Sequence, residues 1–245
     1  MVPKPALAEK TRLPLELRWN AEDNPLPLRT VRWPIRARRP TTGLEAPPWY
    51  MSGPVNQPFH FSDHVRALCA DIVRHCAELK HIDVSRLLMG MTQARSNRRR
   101  GLQARITPLR FQDGRRTRRR RGAVYQVQRY FVEGREMLYL MTFCLPRFLD
   151  QDFDDKFITL FHELYHISPT FDGDLRRHGG RCSLHTQSKR LYDEHMAHLA
   201  RAYLTNGAKR SLHDFLRLNF AQLQHRHGSV VGVVVPRPRL LPISE

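Results

Sequence analysis

The sequence predicts an α+β fold, in which a small antiparallel or mixed sheet packs against several helices. Three observations lead to this expectation: a helical apolar pattern early in the chain, a group of strand-like segments after it, and further helical patterns toward the C-terminus. Strands that are grouped along the chain, rather than alternating with helices, are typical of this fold class. The chain has 245 residues and is therefore long enough for one good-sized domain with appendages.

Helices are predicted where apolar residues recur at intervals of three and four. The first is predicted over residues 61–79, with Ser62 as its cap, and two later ones over 187–204 and 212–224. Strand-like runs fill most of the region between the first helix and residue 145, and they span residues 84–92, 101–111, 124–132 and 137–145. The last of these strands is expected to form the sheet edge along which a peptide can add as an extra strand.

A further helix is predicted over residues 153–167, with one broad apolar side. This side is formed by Phe153, Phe157, Leu160, Phe161, Leu164 and Ile167. Asp150 or Asp152 can cap the start of the helix, and Ser168-Pro169 ends it. The pattern is that of a partly buried helix.

His162, Glu163 and His166 lie in this helix and fit the HExxH pattern of zinc hydrolases. Because residues four apart share one helix face, the two imidazoles are presented together and can bind one Zn²⁺. Glu163, next to the first histidine, can then act as general base toward water at the metal. The alternative is that these are two surface histidines on an ordinary helix.

A catalytic zinc site usually has three protein ligands, so a third residue is expected after the helix. His185 is preferred because it lies just before the predicted helix 187–204, and a regular element holds a ligand more firmly than a loop does. That helix can pack on the first through Leu191, Met196, Leu199 and Tyr203. His178, which two glycines follow, is the alternative, and Glu194 is a third candidate.

Four other residues near the motif each have two interpretations. Asp172 or Asp174 can accept the ring N–H of a ligand histidine, or the two can simply form a turn around the glycine between them. Tyr165 and Tyr192 can stabilise an oxyanion, although a tyrosine in such a place is more often a core residue.

The chain is strongly basic, with a formal net charge of +18 and an isoelectric point of about 10.8. Lysine occurs at only six positions, so most of the positive charge is arginine. Such a surface attracts polyanions: nucleic acid, acidic protein segments or an anionic membrane. The alternative is an arginine enrichment that reflects only the base composition of the genome.

The arginines are concentrated between Arg95 and Arg121, in runs at 97–101 and 114–122. The second run has six arginines within seven residues and falls between two predicted strands, which places it on an exposed hairpin loop. Arg95–Arg121 is therefore a candidate contact for DNA or RNA. A solvated loop without a binding role is the alternative.

The four cysteines are Cys69, Cys76, Cys144 and Cys182, and they include no CxxC pair. Neither a zinc ribbon nor a redox motif is therefore indicated, and a reducing cytosol is the expected compartment. The sequence shows neither a signal peptide nor a run long enough to span a membrane. These features favour a cytoplasmic protein.

Three regions are expected along the chain. Residues 1–57 are rich in proline and arginine and lack periodicity, so they are predicted to be an irregular extension. Residues 58–228 form the folded domain in this interpretation, and residues 229–245 form a strand-like tail that contains the run VVGVVV.

The residues around the motif resemble a known family. HELYHISPTFDGDLRRHGGRCSLH at 162–185, GREMLYLMTFCLPRFLD at 134–150 and PLRF at 108–111 are similar to the phage metallopeptidases of phages and bacterial genomes. The likeness covers roughly residues 59–204. The family is similar in plan to SprT-like zinc proteases, which implies a compact zincin-like domain. It also implies a Zn²⁺ ion held by His162, His166 and His185, with Glu163 as the base.

These expectations together predict a zinc-dependent metallopeptidase that acts on proteins or peptides in a bacterial or phage-infected cell. The alternative from another functional class is a nucleic-acid-binding protein whose zincin domain is catalytically inactive. The sequence leaves the oligomeric state open.

Overall fold

The computed structural model describes residues 13–96, 101–177 and 189–243, and these form the expected α+β fold. The described part contains five α-helices and four small three-stranded sheets. None of its helices is long and apolar enough to cross a membrane. Three of the four cysteines lie in it, and all three are buried with free thiols.

The sheet that positions the candidate site has the strand order β4 (Leu87–Gln93), β10 (Tyr139–Leu145), β5 (Ala104–Pro108). It is mixed, because β10 runs parallel to β4 and antiparallel to β5. The expectation that β10 forms the sheet edge is wrong, since it is the central strand. Six of its seven residues are buried, as is typical of a strand covered on both faces. The edge nearest the next helix is β5.

Each of the three other sheets contains at least one strand that is distant in sequence from its partner. One has the strand order β1 (Glu16–Trp19), β8 (Arg129–Val132), β9 (Arg135–Glu136). The second has the order β2 (Leu28–Thr30), β11 (Val230–Val233), β3 (Phe59–His60). The third has the order β6 (Thr117–Arg120), β7 (Ala123–Val127), β12 (Leu240–Ile243). Three of the six arginines expected on a hairpin loop thus lie in a strand, β6, while Arg115 and Arg116 precede it and Arg121 lies in the turn to β7.

The described part of the N-terminal region, residues 13–57, lies against the domain. It contributes β1 and β2, and the indole of Trp33 donates a hydrogen bond to Gln224 Oε1 (2.6 Å) and packs on the ring of Phe220. Strands of four and three residues are too short to show a period in the sequence, which explains why no element was expected here. The division at residues 57 and 228 stays a proposal.

The helices are α1 (Phe61–His75), α2 (Phe153–Tyr165), α3 (Lys189–Thr205), α4 (Arg210–His213) and α5 (Phe220–His227). The single helix predicted over 212–224 is wrong, because a 3-10 turn at Asp214–Arg217 and the cap at Asn219 separate α4 from α5. The side chain of Asn219 accepts a hydrogen bond from Gln222 N, and the Gln222 side chain accepts one from Asn219 N. This capping box starts a new helix there.

The core lies between α1, the mixed sheet and α2. The apolar side of α2 is fully buried through Phe157, Leu160, Phe161 and Leu164. As expected, α3 packs on α2, and Tyr203 lies against the rings of Phe157 and Phe161. Leu191 does not take part in this packing, because it is 61% exposed.

Candidate active site

The motif residues lie at the C-terminal end of α2. His162 and Glu163 are in its last turn, and His166 is the residue that caps it. The two imidazole rings have their centroids 4.6 Å apart, with an angle of 72° between the ring planes. The expected arrangement of two adjacent imidazoles on one side of a helix is therefore present, and both rings can turn toward a common point.

Both ends of α2 are held by groups from other parts of the chain. Asp152 is the N-cap residue, but its side chain makes no capping hydrogen bond, and Asp150 Oδ1 instead accepts one from Phe220 N (3.1 Å). At the other end, Arg176 donates from its backbone N to His166 O (2.7 Å) and from Nε to Tyr165 O (2.8 Å). These bonds satisfy carbonyl groups that a helix end leaves free, so they fix the end that bears the histidines.

Glu163 is directed toward the mixed sheet and is only 8% exposed. Its Oε2 accepts a hydrogen bond of 2.6 Å from the backbone N–H of Ile106 in β5. Burial raises the pKa of this carboxyl group to about 7, while the Ile106 hydrogen bond and the charge of Arg105 act in the opposite direction. A carboxyl group whose pKa lies near neutrality is suited to exchange protons with a reacting group.

The Ile106 N–H lies on the free edge of β5. In the antiparallel pairing with β10, Leu109 N donates to Leu138 O and Cys144 N donates to Gln103 O. Hydrogen-bonded and non-hydrogen-bonded pairs alternate along such a ladder, so Ile106 belongs to a pair whose N–H groups point outward. The Glu163 carboxylate is therefore located at the edge of the sheet.

Tyr192 of α3 packs against both histidines, with its ring centroid 4.8 Å from that of His162 and 6.2 Å from that of His166. Its hydroxyl is buried and has no hydrogen-bond partner among the described residues. Burial raises the pKa of this phenol well above its usual range. Tyr192 therefore lies in the site as a neutral hydroxyl. Tyr165, the other candidate phenol, packs edge-on against the Tyr192 ring.

The loop after α2 is held by Tyr139 of β10. The Tyr139 hydroxyl donates to Asp174 O (2.8 Å) and accepts from Gly173 N (3.0 Å). The carboxylate of Asp174 pairs with Arg177, and Asp172 Oδ1 accepts from Asp174 N (3.0 Å). Asp172 thus forms the turn that the sequence allowed. This loop leads the chain from His166 toward the candidates for the third ligand.

The third ligand is a prediction that the structure does not test. His178 and His185 lie outside the described residues. Glu194 is exposed on α3, and the neighbouring His195 bonds to Glu78 Oε2 (3.1 Å). Across residues 13–96, 101–177 and 189–243, no three His, Cys, Asp or Glu side chains are grouped so that they could hold a metal ion. The described residues therefore fit a zinc site in part: they supply two imidazoles and a buried carboxylate beside them, as the chemistry of zinc requires.

Three contributors to this site were not predicted from the sequence: the backbone N–H of Ile106, the hydroxyl of Tyr139 and the guanidinium of Arg176. Arg176 lies ten positions after His166, too far along the chain for the usual signal of a basic residue at a helix end. A backbone donor has no side-chain signature. The Tyr139 hydroxyl lies in an otherwise apolar strand and has no partner close in sequence.

Comparison with known proteins gives a family match for the part of the chain that contains the candidate site. No curated protein and no solved structure matches the sequence. A sequence profile of one family, described as "Putative phage metallopeptidase", matches residues 59–203, which include α1, the mixed sheet, α2 and most of α3. The match spans more than half of the chain and includes both histidines and Glu163, and the chain therefore belongs to this phage metallopeptidase family.

Proposed function

We propose that the protein is a zinc-dependent metallopeptidase in which His162, His166 and His185 bind the metal and Glu163 is the general base. His178 is the alternative third ligand. One observation carries this proposal: two imidazoles are adjacent at the end of α2, and Glu163, next in sequence to the first of them, has a buried carboxylate at the edge of β5. Membership of a metallopeptidase family supports hydrolase activity.

The metal supplies Lewis-acid chemistry when bound, since zinc polarises a carbonyl group and makes water more acidic. The residues of the chain supply proton transfer and position. Glu163 takes a proton from the attacking water at one carboxylate oxygen and passes it to the amine that leaves. The hydrogen bond from Ile106 holds the other oxygen, so the carboxylate keeps one orientation during the transfer.

The peptide substrate is proposed to lie along the edge of β5 and to bond to its outward main-chain groups other than the Ile106 N–H, which Glu163 occupies. An extended peptide can add to an exposed sheet edge through main-chain hydrogen bonds, and alternate side chains then enter pockets. This edge is also where the Glu163 carboxylate lies, so a peptide bound there has its backbone next to the base. In this proposal, substrate binding and proton transfer take place at the same edge of the sheet.

The experiment for this proposal combines metal analysis with proteolysis. Protein purified without a histidine tag should contain one tightly bound zinc ion, and it should cleave a mixture of unfolded protein substrates. The Glu163→Gln variant, assayed side by side, should bind the metal and cleave at least about 100-fold more slowly. Substoichiometric zinc that added metal does not restore would remove the basis of the proposal.

A second function is proposed for the arginine-rich segment Arg95–Arg121, namely binding to DNA or RNA. The observation in its favour is that all four residues of β6, three of them arginines, are exposed. The first arginine run, at 97–100, lies outside the described residues. If the catalytic proposal fails, nucleic-acid binding that is independent of zinc and falls steeply with salt would favour the alternative of an inactive zincin domain. We place the protein in the cytoplasm of a bacterial or phage-infected cell, in keeping with its three buried free thiols.

A further inference from the structure

We propose that one face of the β6–β7–β12 sheet binds single-stranded nucleic acid, with phosphates on Arg118 and Arg120 and a base stacked on Tyr125. We call this surface the arginine–tyrosine face, and it consists of Phe111, Arg118, Arg120, Tyr125 and Leu240. The inference rests on the nucleic-acid part of the proposed function and is independent of zinc and of catalysis.

Strand pairing brings these side chains to the same side of the sheet. In the β6–β7 hairpin, Arg118 pairs with Tyr125 and Arg120 pairs with Ala123. Side chains alternate along a strand, so Arg118 and Arg120 point to the side of Tyr125, whereas Arg119 points to the opposite side. Two residues of a strand span about 6.8 Å, so the two guanidinium groups form a short row beside the ring.

A shallow cavity of about 250 Å³ confirms that the five residues line a common surface. The two arginines form one side of it, Tyr125 lies across the strand pair, and Phe111 and Leu240 close it. No carboxylate is among the lining residues. Two aromatic rings and two guanidinium groups around one depression make a suitable place for an unstacked base and its phosphates.

Among the described residues, the arginines of this face have no acidic partners, unlike several other arginines. Arg110 and Arg129 both bind the carboxylate of Glu136, at 2.6 and 2.7 Å, and the first is almost fully buried. In contrast, the side chains of Arg118 and Arg120 have neither an ion pair nor a hydrogen bond within the described part of the chain. Neighbouring like charges repel, and phosphates would relieve that repulsion.

The shape of the face favours a single strand over a duplex. The bases of a duplex are stacked inside it, so they cannot reach an aromatic ring on a protein surface without being unstacked. A single strand presents both phosphates and open base faces, and every base can stack on a tyrosine. The exposed side chain of Leu240, beside the ring, adds an apolar contact that phosphates alone would not use.

The location of the face places the bound strand near the candidate active site. The loop that leads into β6 packs on the loop that follows α2, because a Cβ atom added at Gly114 would lie 2.9 Å from Asp172 Cβ and 3.0 Å from Asp172 O. A nucleic acid on the face would therefore lie close to the segment between His166 and the third ligand. Proteins bound to the same nucleic acid would be delivered to the site.

The test measures binding of the full-length protein to a fluorescent oligothymidylate and to a duplex of the same length, with and without a chelator. The single strand should bind more tightly, and the chelator should have no effect. Arg118→Ala combined with Arg120→Ala should lower the slope of log affinity against log salt by about 1.4, since each phosphate contact contributes about 0.7. Tyr125→Leu should weaken binding by about 5- to 100-fold, and Tyr125→Phe should retain it.

Arg119→Ala is the matched control for Arg118→Ala, because both change the same charge on the same exposed strand but on opposite faces. Arg119→Ala should weaken binding less than Arg118→Ala. Equal losses of affinity in Arg118→Ala and Arg119→Ala would overturn the assignment of the face. An unchanged affinity of Tyr125→Leu for the single strand would also overturn it, and so would equal affinities of the wild type for the single strand and the duplex. Circular dichroism and thermal melting of each variant establish that it is folded. Failure of the peptidase proposal leaves these measurements unaffected, because no substrate is present.

Discussion

The carboxylate of Glu163 is bonded to the backbone N–H of Ile106 at a distance of 2.6 Å, and this bond joins the motif helix α2 to the free edge of β5. The carboxylate is thus positioned by a main-chain group of a strand, which cannot rotate away as a side chain can. A substitution that removes the side-chain oxygen at position 163 changes both the chemistry of the site and the contact between helix and sheet.

Two substitutions of Glu163 separate these roles. In Glu163→Gln the amide oxygen can still accept from Ile106 N–H, so we expect near-normal stability and a loss of about 10²- to 10⁴-fold in cleavage rate. In Glu163→Ala the buried N–H loses its partner, which should lower the free energy of unfolding by about 1–3 kcal/mol. Urea unfolding and a peptide cleavage assay measure the two effects. Equal stability of the two variants would show that the bond does not contribute to the fold.

The identity of the third ligand can be tested by zinc titration. We expect His185→Ala to reduce zinc affinity by more than about 100-fold and His178→Ala by about 10- to 100-fold, as a supporting group would. Both positions lie between two described segments: Arg176, two positions before His178, bonds through its backbone N to His166 O, and α3 starts four positions after His185. The control is His195→Ala, since its ring bonds to Glu78 and its loss should leave the affinity unchanged. A greater loss in His178→Ala would reassign the ligand.

Tyr139→Phe should loosen the loop that follows α2. The substitution removes the hydroxyl that bonds to both Gly173 N and Asp174 O in a buried position. Leaving such groups without partners should destabilise the protein by about 1–3 kcal/mol. Hydrogen exchange should show faster exchange at Gly173 in the variant, while the amides of β4 and β10 keep their protection. Uniformly faster exchange throughout the protein would indicate global destabilisation instead of a local role.

The sequence predicts best those elements in which buried residues recur at one regular interval. The apolar side of α2 and the HExxH spacing predict a helix that bears His162, Glu163 and His166 with the two imidazoles next to each other, and the structure has this arrangement. β10 was recognised as a strand, but a run of buried residues cannot show whether the strand is central or at an edge, because this depends on its neighbours.

The elements that were missed are determined by partners far along the chain. β6 is a run of arginines without apolar alternation, and it becomes a strand because Arg121-Gly122, both with positive φ, turns it back to pair with β7. The break between α4 and α5 follows in part from Lys156, whose Nζ donates hydrogen bonds to the carbonyl groups of Leu216 and Leu218. No local pattern contains this information.

Lys156 is itself an unusual residue, since it is 2% exposed and donates hydrogen bonds to Leu216 O (2.8 Å) and Leu218 O (2.9 Å). Burial lowers the pKa of its ammonium group from 10.5 to about 8, although the charges of Asp150 and Asp152 act in the opposite direction. A neutral amine keeps two N–H donors, which is the number that the two carbonyl groups require. Deprotonation therefore removes a buried charge without breaking either hydrogen bond.

The stability of the protein should consequently rise with pH through the interval in which only the unfolded chain keeps the Lys156 proton. Below pH 8 both states are protonated, and between about 8 and 10.5 the unfolded state binds more protons, so the free energy of unfolding increases there by up to about 3 kcal/mol. Other groups titrate in the same range. Their contribution to the pH dependence is the same in a Lys156→Met variant and is removed when the unfolding free energy of the variant is subtracted. The measurement is the difference in unfolding free energy between wild type and variant from pH 7 to 10.5 by urea denaturation. We expect this difference to shift in favour of the wild type as pH rises, and a flat or falling difference would show that Lys156 stays protonated in the folded protein.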